Sequence, residues 1–263
     1  MSPLLQRHTP VTVYSRFPDR ARASGFTLVE IAIAVFIITL LLGSILVPLT
    51  TQVEQRQVSE TQKMLEDIKE ALAGHAVAKG YLPCPDRTSG GAGTANDTAN
   101  DGVEDFNTGT GICYTTSQSG NLPWVTLGLG TSDPWGRRFR YRVHGSYAQR
   151  SPAAIFNLTT ATNLGVTTSG GALLTAANPD GAVAVILSHG KNGFGGMNAQ
   201  TNTQLPGSTS LDEQDNYAAG GGSTYTSRTI TPAGSTAGEF DDVVTWLGKY
   251  PLFNRMVAAG KLP

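Results

Sequence analysis

Charge is scarce in this sequence and nearly balanced, with 19 Lys and Arg against 20 Asp and Glu in 263 residues, a formal net charge of −1. Without a surplus of one sign there is no global electrostatic drive toward nucleic acid. Cysteine is almost missing, with Cys84 and Cys113 alone. No CxxC pair and no nearby histidine completes a zinc site around them. The histidines, His8, His75, His144 and His189, are scattered. Neither a Walker pattern nor a dinucleotide fingerprint is present. Ser188 and His189 are neighbours, but a serine nucleophile needs a base presented across space and a third group that orients it. Adjacent residues of a strand point to opposite faces. No pair of carboxylates stands at catalytic spacing, and together these absences argue against an enzyme.

What the chain does have is an uncharged apolar run from Ile31 to Leu49, introduced by Ser24-Gly25-Phe26-Thr27-Leu28-Val29-Glu30. The run is long enough to span a bilayer, and one carboxylate, Glu30, stands at its start. A charge there costs a few kcal/mol, so it is a functional residue by default. Arg16, Arg20 and Arg22 precede the run, and the segment after it is mixed in charge. That asymmetry predicts a cytoplasmic N-terminus with the rest of the chain across the membrane. An ordinary signal peptide has a shorter apolar core and is cut after it.

These residues resemble the type IV prepilin signature, with Gly at the cleavage point, Phe as the first mature residue and Glu as the fifth. The resemblance implies cleavage between Gly25 and Phe26 by a prepilin peptidase, N-methylation of Phe26, and pairing of Glu30 with the N-terminal amine of a neighbouring subunit. The partners it implies are that peptidase, copies of the chain or other pilin-like subunits, and an inner-membrane assembly platform. No Lys or Arg within the apolar run offers Glu30 a cation, which agrees with a partner from outside.

Thr51 to Lys79 contains no proline and is rich in good helix formers. Val53, Val58, Met64, Leu65, Ile68, Leu72 and Val77 fall roughly at helical spacing. Gly43 and Pro48 are weak points, and Pro48 is expected to kink or melt the helix locally. Leu82-Pro83 stops it. A long helix with a wholly apolar first half and an amphipathic second half is the plan of a pilin-like subunit. The expected fold is α+β, with that helix packed on a small antiparallel sheet domain with long loops. The division is a cleaved cytoplasmic leader at 1–25, a transmembrane half at 26–50, an amphipathic half at 51–80 and a periplasmic β-rich domain at 81–263.

Gly is abundant, at 31 residues, and long Gly/Ser/Thr/Asn stretches read as loops. Cys84 and Cys113 fit one disulfide in an oxidising compartment. The stretch from Pro83-Cys84-Pro85-Asp86 through the loop Gly90 to Asn107, with Asp86, Asp97, Asp101, Glu104 and Asp105, offers the carboxylates a hard cation such as calcium needs, but it lacks EF-hand spacing and reads rather as a solvated acidic loop. Leu122 to Leu129 reads as an apolar turn and strand. Asp133-Pro134-Trp135-Gly136 is strong turn chemistry. The strand after it alternates, with Phe139, Tyr141 and Val143 on one face and Arg138, Arg140 and Arg142 on the other. That arginine face faces solvent or a neighbouring subunit, or in a sharper version holds DNA phosphates. Near-zero net charge and the lack of a second basic cluster speak against the DNA version.

Ala182 to Leu187 predicts a buried strand, followed by the glycine-rich loop Ser188 to Gly196. Leu252, Phe253, Met256 and Val257 predict a short C-terminal amphipathic helix. The Asp-Pro-Trp-Gly segment with its aromatic strand is similar to major pseudopilins of type II secretion systems. So is the glycine-rich loop with the later Glu239-Phe240-Asp241-Asp242-Val243-Val244-Thr245-Trp246. In that family calcium ties such C-terminal loops together, which implies Ser188, Asp241 and Asp242 as ligands. This chain departs by placing Lys191-Asn192 in the loop and by inserting the polar stretch Gln200 to Gly238. The function the resemblance implies is a structural filament subunit in the inner membrane and in a periplasmic or surface filament. The other reading is a minor pilin acting as an adhesin or DNA-binding subunit.

Overall fold

One helix, α1 (Leu28–Lys79), takes up the N-terminal part of the computed structural model. The structure describes residues 25–91, 97–114, 118–217 and 222–262, and the side chains of 44–50 lie outside that set. The expected leader lies outside the described residues as far as Ser24. The helix runs through Gly43 and Pro48 without a break, so the local melting expected at Pro48 does not occur. Losing one backbone bond there is offset by cooperative helix on both sides. Among the described residues no helix is long and apolar enough to cross a membrane. The described side chains of the apolar run stop at Gly43, and Leu28 to Gly43 alone is shorter than the roughly 20 residues a bilayer demands.

The chain divides into two units, Met1–Thr51 and Gln52–Pro263. In the first, the large apolar side chains from Leu28 to Leu42 are exposed. In the second, α1 ends at Gly80, whose φ of +89° suits glycine and whose N–H reaches the Ala76 carbonyl at 2.7 Å. Then follow β1 (Phe106–Asn107), β2 (Ile112–Cys113), β3 (Ser119–Asn121), α2 (Trp124–Leu127) and β4 (Arg140–Val143). After these come β5 (Gly165–Thr167), β6 (Ala182–Ser188), α3 (Leu211–Tyr217), β7 (Thr224–Thr226), β8 (Val243–Gly248) and α4 (Lys249–Ala258). The strand expected between Leu122 and Leu129 is instead the short helix α2. Pro123 cannot donate to a ladder, and Gly128 at φ +69° closes the turn.

The main sheet is antiparallel in the order β3-β4-β6-β8, with Tyr141 opposite Ile186 and Thr245 opposite Ile186 on the far side. One face carries Tyr141, Val143, Ala184, Ile186 and Leu247. It packs on Leu65, Ile68 and Leu72 of α1 and on Leu252, Phe253 and Met256 of α4. Fully burying each such side chain stabilises by about 1.5–3 kcal/mol. The other face carries Val185, Leu187, Val244 and Trp246. It is covered by Leu164, by Val166 of β5 and by Tyr225 of β7, the two strands pairing in parallel as a separate ribbon. The sheet is therefore buried on both sides.

Candidate functional site

Two places gather chemistry-bearing side chains. The first is the start of α1. The Glu30 N–H donates to Thr27 Oγ1 at 3.2 Å, and the Thr27 N–H donates to Glu30 Oε2 at 3.4 Å. Thr27 precedes the first helical residue, so this is a reciprocal capping box that satisfies two backbone donors. The acid also sits where the helix dipole favours negative charge. Gly25 and Phe26 precede the cap, and Phe26 is 77 % exposed. The pattern Thr-x-x-Glu was readable in the sequence as a cap, a role that the filament reading of Glu30 overlooked.

The second place is where the glycine-rich loop after β6 meets the strand entry at Asp241-Asp242. Gly190 holds a φ of +55°, and a Cβ there would lie 2.3 Å from the Asp241 carbonyl oxygen. Only glycine permits that approach. Asn192 then donates its N–H to Asp241 Oδ2 at 2.7 Å and its Nδ2 to Glu213 Oε1 at 3.1 Å. The Asp241 N–H also donates to Glu213 Oε1, at 3.1 Å. Asn216 Nδ2 donates to Asp242 Oδ2 at 2.8 Å. Each of the three carboxylates thus has one oxygen satisfied and one left over. Glu213 Oε2, Asp241 Oδ1 and Asp242 Oδ1 are buried without a hydrogen-bond partner. Glu213, Asp241 and Asp242 bring one ligand oxygen each within 4.8 Å of one another. Burial pushes the Asp241 carboxyl up to about 7, and the charges of Asp242, Glu213 and Glu239 add to this against the Asn192 N–H bond. Convergent, under-satisfied carboxylates are what a hard divalent cation binds.

Of the three ligands expected from sequence, Asp241 and Asp242 stand in this cluster and Ser188 does not. Its Oγ donates to Asp133 Oδ2 at 2.5 Å and accepts the Gly190 N–H at 3.1 Å. Asp133 also caps its own turn by accepting the N–H groups of Trp135 and Arg137. Ser188 is thus an anchor for the Asp-Pro-Trp-Gly turn, in which the Gly136 N–H closes on the Asp133 carbonyl at 3.0 Å. The third carboxylate, Glu213, comes from the inserted polar stretch. The signal that marks it is Ser210-x-x-Glu213 just ahead of α3, another cap pattern.

The arginine face is not a surface. Arg138 is 6 % and Arg142 9 % exposed, and Arg140 is half-buried. Arg138 donates to Asn202 Oδ1 in the insertion at 2.6 Å and to the carbonyl of Ala199, just ahead of it, at 3.3 Å. Its guanidinium lies 3.9 Å from the Trp124 ring centre. Burial pulls the Arg140 and Arg142 guanidinium groups down from the usual range, and the Tyr225 hydroxyl bonds Arg140. The solvent-facing and DNA-facing readings of this row are both corrected, because Ala199, Asn202 and Trp124 enclose Arg138 while Tyr225 of β7 stands beside Arg140 and Arg142.

Cys84 and Cys113 are bonded to each other, with Cα atoms 5.4 Å apart. Beside them Arg150 makes a two-pronged pair with Glu104, both contacts at 2.7 Å, and Glu104 accepts the Cys84 N–H at 3.0 Å. The acidic loop is not solvated. Asp86, Asp97 and Asp105 are buried, and Asp86 accepts the N–H groups of Asn100 and Gly102. Its residues 92–96 lie outside the described set.

Residues 20–46 match the family described as the prokaryotic N-terminal methylation motif. No curated protein and no solved structure matches the chain. The motif marks a type IV prepilin-like signal ahead of an α+β fold in which the N-terminal helix packs on antiparallel strands.

Proposed function

We propose that this chain is a structural subunit of a type IV pilus-like filament, a pseudopilin of a type II secretion system by its internal resemblances, with no catalytic role. The observation that carries the reading is the methylation motif at 20–46 in register with a helix that starts at Leu28. In this reading 1–25 is the leader, 26–50 spans the inner membrane, 51–80 is the amphipathic half of the helix and 81–263 is periplasmic. Prepilin peptidase cuts between Gly25 and Phe26 and methylates the new amine. The amine of one subunit then meets the Glu30 carboxylate of the next. An amine would give this acid the cation it lacks among the described residues, where the Thr27 N–H alone donates to its carboxylate. The bonded cysteines accord with an oxidising compartment.

Glu213, Asp241 and Asp242 would hold a divalent cation, calcium by the family resemblance. The ion would satisfy three orphaned oxygens and tie α3 of the insertion to the C-terminal strand. Mass spectrometry of the membrane-purified product tests the filament reading. A mature chain beginning with methylated Phe26 supports it, and an intact leader or another start ends it.

A further inference from the structure

A small cavity opens beside the arginine row. Arg138, just ahead of β4, and His189, just after β6, both line it, together with Arg140, Asn121, Gly196 and Gln204. Arg138 is 6 % and His189 1 % exposed. Arg138 Nη1 and both ring nitrogens of His189 are buried without a hydrogen-bond partner. A guanidinium has donors only and an imidazole carries at least one N–H, so both groups want for an acceptor. Counter-charge is short as well. Arg138 donates to the Asn202 amide and the Ala199 carbonyl, which are neutral, and among the described residues it joins no ion pair. Asp86 acts on it from beyond ion-pair reach, and burial pushes that carboxyl up to about 7. Arg140 brings a second guanidinium to the same walls. A buried cation without a counter-ion is costly, and a buried donor left unpaired marks a place for a water or an ion.

Size narrows the choice. The cavity admits the centre of a water-sized sphere over about 10 Å³, which is room for one such sphere. A phosphate or a carboxylate brings several atoms and does not fit, whereas a halide is a single atom. A water would fill the space and leave the charge uncompensated. We propose that the cavity binds one halide ion, chloride in ordinary solution, held by Arg138 and the His189 ring with Arg140 adding positive charge. The ion would fasten segments far apart in sequence, namely the entry to β4, the end of β6 and, through Gln204, the inserted stretch. The site uses none of Glu213, Asp241 and Asp242, so it stands or falls apart from the cation reading of that cluster.

The test uses the full chain in a non-ionic detergent, dialysed into sodium gluconate and then given sodium chloride or bromide at constant ionic strength. At about tenfold excess over Kd, either halide is expected to raise the unfolding midpoint by about 3–6 °C. Arg138→Gln is expected to lose that rise while keeping any general salt effect, which acts over the whole surface. His189→Gln is expected to reduce it. Should the Arg138 variant fail to fold, the unaltered chain still decides the matter. The NMR line of chloride is expected to broaden saturably in its presence and to narrow when bromide competes. An equal midpoint in gluconate and chloride with no broadening would mean that water alone fills the cavity, and the proposal falls. A chloride rise of the same size in Arg138→Gln would place the ion elsewhere and overturn it too.

Discussion

Thr27 and Glu30 cap each other across the first turn of α1, each accepting the other's backbone N–H through its side chain. The carboxylate that the proposed filament would use is therefore already occupied, weakly, within its own subunit. An ammonium partner adds a second charge to the bond and so outbids the single Thr27 N–H contact at 3.4 Å on this exposed carboxylate.

Glu30→Ala is expected to leave the protein inserted but poorly assembled. Thr27→Ala removes the cap alone and should cost about 1 kcal/mol of helix-start stability with a smaller assembly defect. Cross-linking of filaments sheared from cells expressing each variant ranks the two. Normal incorporation of the Glu30 variant would count against its ionic role.

Gly25→Val places a branched side chain at the cut site. It should leave the leader attached and the chain in the membrane fraction, visible as a slower band on an immunoblot. Complete processing of this variant would refute the assigned junction.

The pair of Arg150 and Glu104 is buried beside the disulfide. Arg150→Met leaves the Glu104 carboxylate without its cation and should lose about 3–5 kcal/mol, read from the denaturant midpoint. The double change Arg150→Met with Glu104→Gln should recover part of that loss. A double variant that is the sum of its singles would show that the two do not interact.

Stability should fall as pH rises from about 4 to 7. Burial, offset in part by the Gly102 and Asn100 N–H groups and reinforced by Asp105 and Asp101, pushes the Asp86 carboxyl up to about 7. Burial likewise takes Asp105 up to about 6. In that window the folded state binds more protons than the unfolded one, so raising the pH favours unfolding, at roughly 1.4 kcal/mol for each unit of displacement. Below the unfolded value near 3.8 the contribution is complete, and above about 7 it has gone. Asp86→Asn should flatten the profile measured by thermal unfolding, and an unchanged slope would rule Asp86 out as its source.

Several elements were legible because one local rule decides each. Leu65, Ile68 and Leu72 announce the buried stripe of α1, Val185 and Ile186 the central strand, and Leu252, Phe253 and Met256 the last helix. Other features depend on chain far away in sequence. Arg138 looks solvent-facing until Ala199 and Asn202 arrive to bind it, and Arg142 until Tyr225 of β7 does. Glu213 lies in a stretch whose polarity reads as loop, and its partners Asn192 and Asp241 come from opposite sides of it. The same four-residue cap pattern occurs at Thr27 and at Ser210. At the first the glutamate returns to its own helix start, and at the second it is drawn to Asn192 and Asp241. Pattern alone does not separate the two outcomes.

The stacking of Arg138 on Trp124 gives the chain an optical reporter. Asn202 and Ala199 fix the guanidinium in place over the indole. Any loosening of the inserted stretch releases the cation and changes the emission of that tryptophan. With Trp135 and Trp246 replaced by Phe, intrinsic fluorescence would follow detachment of the insertion separately from melting of the sheet beneath it.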